Sequence, residues 1–129
     1  MSYIQAFNNQ WLNFLKEMSK SFPENKEIAP LRNQLLLATK ADKNLPIKAF
    51  IDAELLYYKP YITAKNDKFF LELDLSKTPL APLKLKDVWG KCSENTKKNI
   101  WLYIQVIFKI CDKYLKEKED KKKIVMRKT

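Results

Sequence analysis

Over the first twenty-two residues the apolar side chains Ile4, Phe7, Trp11, Phe14, Leu15, Met18 and Phe22 recur in steps of three and four. At 100° per residue they fill an arc of about 120°, with Asn9, Asn13, Lys16 and Lys20 opposite, which predicts a one-faced helix. Pro23 should stop it. A second helix is expected from about Pro30, with Leu31, Leu35 and Ala38 in register, ending at residues 42–44. Pro46 suits the first turn of a third helix behind an Asn44 cap. There Ile47, Phe50, Ile51, Leu55 and Tyr58 share a side, and Pro60 should end or kink the helix. Residues 69–75 alternate in polarity, but no second strand is evident. They read as an irregular or short extended connection with Phe69, Phe70 and Leu71 packed inward. A proline-marked loop then leads to a short turn around Val88 and Trp89, and Ser93 is placed to cap the last and longest helix.

That last helix holds the densest apolar stretch. Between Asn99 and Leu115 stand eleven large apolar or aromatic residues and Cys111. The charge-free run inside it, Asn99 to Phe108, has ten residues. A membrane span takes about twenty, so none is expected here. On a helical wheel the apolar positions run from Val106 round to Trp101 and cover about 220°, whereas one packing neighbour needs roughly 100°. The helix should therefore be central and covered from several sides. One margin of the arc is a candidate contact for another protein chain, formed by Trp101, Leu102, Gln105 and Phe108. Phe108 is expected deeper in the arc, and Trp101 at its edge. The expected fold class is all-α: a compact bundle of four or five helices with a long central C-terminal helix and one irregular or short extended segment. Residues 1–120 form the single helical domain and 121–129 a basic C-terminal tail.

Composition narrows the chemistry. A hydrophobic fraction of 46% supports a real core. Gly90 is the single glycine, which argues against tight hairpins and phosphate-cradling loops. No histidine is present, so the commonest general base and metal ligand is missing. Cys92 and Cys111 cannot complete a zinc site alone and are read as buried small hydrophobes. With no secretory leader at its start, the chain is expected in a reducing intracellular setting. Asp52 and Glu54 would diverge on a helix, and Asp67, Glu72 and Asp74 read as solvated loop charges. No enzyme activity, metal or cofactor is expected.

The net charge of +10 comes from 25 basic residues, of which only Arg32 and Arg127 are arginine. Eight basic and three acidic residues from Lys113 to Thr129 supply +5 of it. Lys113, Lys116, Lys121, Lys122, Lys123, Arg127 and Lys128 are thus candidate nucleic-acid contacts, able to neutralise phosphates without reading sequence. Glu117, Glu119 and Asp120 interrupt the run. The alternative is a solvated helix end, with i,i+4 charge pairs and lysines set favourably against the helix dipole.

The order of an amphipathic first helix, then "NDKFFLELDL", "DVWGKCSENTKKN" and "IWLYIQVIFKI", resembles small uncharacterised α-helical proteins of large nucleocytoplasmic DNA viruses. The resemblance spans most of the chain and rests on Phe69, Phe70, Leu71, Trp89, Ile100, Trp101, Tyr103 and Ile104, all core-type residues. It carries over no catalytic or binding residue. What it implies is a viral setting: an infected host cell, or the virion itself, with the chain as a minor structural or assembly component. Its partner would be another viral chain or a second copy of itself. A genome-associated nucleic-acid-binding protein is the alternative, and a host-directed effector a weaker third.

Overall fold

Ser2 opens the first helix, its hydroxyl accepting the Gln5 N–H at 3.3 Å, so one of the four unpaired donors of the first turn is satisfied. The computed structural model describes residues 2–128, with side chains described over 2–120. Helix α1 spans Tyr3–Ser21 and buries Phe7, Trp11, Phe14, Leu15 and Met18, the face its spacing predicts. Pro23 follows the Phe22 cap. Helix α2 runs Ile28–Ala41, starting two residues before Pro30 so that Ile28 enters the core. Helix α3, Leu45–Asp52, carries Pro46 in its first turn as expected. Asn44 holds the cap position, but its side chain makes no capping hydrogen bond.

The expected long third helix is broken. α3 stops at Asp52, Glu54 adopts a left-handed backbone at φ 59°, and a 3₁₀ turn spans Leu55–Tyr58. A non-glycine residue in that region costs about 1–2 kcal/mol. Beyond the break Leu55 is fully buried, and the Tyr58 ring lies 6.3 Å from that of Phe69. Pro60 then sits in the first turn of helix α4, Lys59–Thr63, where its missing N–H is no loss. It begins a helix rather than ending one.

No strand occurs among the described residues. The 69–75 segment holds one helical turn, α5 at Lys68–Leu71, which buries Phe69 and Phe70 but leaves Leu71 41% exposed. The inward placement expected for Leu71 is thus corrected: a single turn cannot aim three consecutive side chains the same way. A 3₁₀ turn at Ala81–Leu83, helix α6 at Leu85–Val88 and a second 3₁₀ turn at Trp89–Lys91 lead to helix α7, Glu94–Lys128. The described residues form an all-helical bundle with that long helix packed mainly against α1 and α4, while α2 lies on α1 and α3.

The core is joined by a run of aromatic rings. Trp11 meets Phe50 at 5.9 Å, Phe50 meets Phe108 at 5.4 Å, and Phe108 meets Phe69 at 6.1 Å. From Phe69 the chain of contacts continues to Phe70, Trp89 and Trp101, with Phe70 and Trp89 only 4.4 Å apart. Most of these pairs are edge-on or tilted, the geometry favoured by ring quadrupoles. Two side-chain bonds to distant backbone help fix the loops. The Asn8 amide donates to Lys43 O at 3.0 Å, and the Asn25 amide donates to Pro82 O at 2.9 Å.

Candidate interaction surface

Helix α7 starts as its sequence predicts. The Ser93 hydroxyl accepts the Thr96 N–H at 3.1 Å, and Glu94 pairs with Lys97 at 3.7 Å within the first turn. Ile100, Trp101, Ile104, Ile107, Phe108 and Cys111 are buried along it. One flank is tied to α4: Gln105 donates from Nε2 to Ile62 O at 3.1 Å, and Asp112 forms an ion pair with Lys59. The other flank lies against α1, where the Tyr103 ring stacks on Phe14 at 5.4 Å.

Between these flanks an outward band remains open. Counting 100° per residue from Leu102, the positions Lys98, Lys109, Lys113, Lys116 and Val106 all fall within about 40° of it. The four lysines are exposed, and Leu102 and Val106 keep 48% and 40% of their surface in water. The ion pairs Lys59–Asp112, Lys84–Glu27 and Lys97–Glu94 involve none of these four lysines. Two aliphatic side chains one turn apart therefore lie on a strip with Lys98 one turn before them and Lys109, Lys113 and Lys116 after them.

This placement corrects the contact margin expected from the sequence. Trp101 is only 5% exposed and Phe108 only 2%. Trp101 packs on Phe70 at 4.9 Å and on Trp89 at 5.9 Å, and Phe108 on Phe50 and Phe69. Both belong to the interior. Gln105 is half-buried and engaged with α4, so only Leu102 of the four faces solvent freely. The open margin is the opposite one, at Val106, which the wheel counted as covered. Periodicity locates both margins of an arc but does not say which one a neighbour will shield. Lys113 and Lys116 lie on the open band, whereas Lys121, Lys122, Lys123, Arg127 and Lys128 lie outside the residues whose side chains are described.

Elsewhere the polar groups are held in local structure. A depression of ≈ 390 Å³ between α5 and α6 is lined in part by Glu72, Asp74, Ser76, Lys84, Lys86 and Asp87, acids and lysines interleaved. Hydrogen bonds from the Ser76 hydroxyl and N–H hold the Asp74 carboxyl below its ordinary pKa, as in an ordinary loop cap. Among the described residues no group of three or more His, Cys, Asp or Glu is placed to hold a metal ion. Both cysteines are free thiols. Desolvation raises the Cys92 pKa, opposed by Lys97, and burial pushes that of Cys111 up to about 12, so neither resembles an activated thiolate. Among the described residues no helix is long and apolar enough to cross a membrane. No protein-family model, curated protein or solved structure matches the chain.

Proposed function

We propose that the chain acts as a non-enzymatic interaction protein that offers the outer band of α7 to a partner. The observation that carries this reading is the pair Leu102 and Val106, exposed one turn apart on the longest helix and aligned with the exposed Lys98, Lys109 and Lys113. Partly exposed aliphatics on a rigid, well-anchored helix provide contact area with little ordering cost. The resemblance to small helical proteins of large DNA viruses narrows the proposal to a minor virion or assembly component in an infected cell, its partner another viral chain or a second copy.

The competing reading is a basic nucleic-acid-binding protein. It is favoured by the alignment of Lys109, Lys113 and Lys116 on one side of α7, leading into the basic tail. Mass in solution at low and high salt, with and without nucleic acid, separates the two. A complex that persists in high salt and is lost in Leu102→Glu/Val106→Glu supports the interaction protein. Co-purifying nucleic acid released by salt, with a log–log slope near one unit per phosphate contact, supports the competitor.

A further inference from the structure

We infer that the segment docking on α7 is an acidic amphipathic helix, its carboxylates facing Lys98, Lys109 and Lys113 and its apolar side chains covering Leu102 and Val106. This rests on the interaction reading and adds the chemistry of the partner. Charge complementarity is the first ground. From Lys98 to Lys116 the band carries only positive charge; on its flank Asp112 is engaged by Lys59, and Glu117 and Asp120 stand at its C-terminal end. Spacing is the second ground. Lys109 and Lys113, like Leu102 and Val106, are four residues apart, about 6 Å along the axis, which matches i,i+4 positions on a second helix.

A groove of ≈ 330 Å³ between α4 and α7 runs along one side of the band and shares Lys109 with it. Ile62 and Phe108, both buried, form its floor, with Lys59 and Thr63 at its rim. One larger apolar residue of the partner helix enters there, the usual way an amphipathic helix is anchored. Nucleic acid is the poorer fit, because the centre of the band is aliphatic. It offers neither a ring for base stacking nor an arginine for base edges. A lipid surface is also disfavoured, since two aliphatics form too narrow an apolar face for interfacial insertion.

The test uses the full chain and a fluorescent eighteen-residue helical peptide with glutamates and leucines at four-residue spacing on one face. A scrambled peptide of equal composition, a twenty-nucleotide oligothymidylate and phosphatidylserine vesicles serve as alternatives. The patterned peptide should bind at least tenfold more tightly than the scrambled one. Binding should fall at least tenfold in Leu102→Glu/Val106→Glu and also in Lys109→Glu/Lys113→Glu, with each variant's helical circular dichroism and melting retained. Equal binding of both peptides would overturn the inference, as would tighter binding of the oligonucleotide or the vesicles that the lysine variant abolishes. If no peptide binds but the chain self-associates through Leu102 and Val106, the acidic-partner inference fails while the interaction reading stands. A monomer that binds no peptide overturns both.

Discussion

The two margins of the apolar arc on α7 look alike in the sequence and differ in the structure. At one margin Trp101 is closed over by Phe70 and Trp89, delivered by the short elements between residues 68 and 91. At the other Val106 meets no such cover and shares the surface with Leu102 and four lysines. A large aromatic gains more from burial than a valine, by about 1 kcal/mol or more on area alone, so the covering elements settle where the ring is. The margin left bare holds the smaller aliphatic. The difference teaches that burial at the edge of a helix is decided by what the rest of the chain can bring there.

The largest expected effect comes from breaking the closed side. Phe108→Glu places a charge among Phe50, Phe69 and the α4 groove and should cost more than about 4 kcal/mol, seen as loss of the cooperative thermal transition. Ile104→Ala opens a cavity in the middle of the buried face and should cost about 2–5 kcal/mol by urea denaturation with an unchanged m-value.

Alkaline pH gives an intermediate effect. The Cys111 thiol in the folded chain has its pKa raised from 9.0 to about 12 by burial. Its contribution to stability is therefore full below pH 9 and lost as pH rises from there toward 12, because unfolding releases a proton in that window. Stability measured across that range should fall less steeply in Cys111→Ala than in the parent chain. Equal slopes would show that the thiol is not buried as described.

Smaller effects concern how α7 is held. Ser93→Ala removes the acceptor for the Thr96 N–H and should cost about 0.5–2 kcal/mol. The Lys59–Asp112 pair is partly exposed, so a double-mutant cycle with Lys59→Met and Asp112→Asn should return no more than about 1 kcal/mol of coupling, shrinking with salt.

Much of this architecture was legible in residue spacing. The buried face of α1, the cap at Ser93, the first-turn Pro46 and the burial of Ile100, Ile104, Ile107 and Cys111 in the middle of the α7 arc all follow from local rules that tertiary contacts reinforce. The break at Glu54 was not legible, because no proline or glycine marks it; it lies where Leu55 turns into the core. Leu71 could not be placed either, since a connection read as irregular has no period to say which of three consecutive apolar side chains turns outward. Of the expected contact residues, Leu102 stands on the open band because its wheel position among polar residues is independent of the covering elements. Trp101 lies inside rather than at the margin because Phe70 and Trp89 close over it from residues 68–91, whose path no periodicity reveals, while Val106 stays exposed.

The two margins of α7 are unequal in cover, and paired urea denaturation of Trp101→Glu and Val106→Glu measures that inequality directly. Val106→Glu should keep its unfolding free energy within about 0.5 kcal/mol of the parent, as surface substitutions do, while Trp101→Glu should abolish the cooperative transition. If Val106→Glu proved as damaging as Trp101→Glu, the outer band of α7 would be covered within the folded chain, and the surface proposed for a partner would not exist.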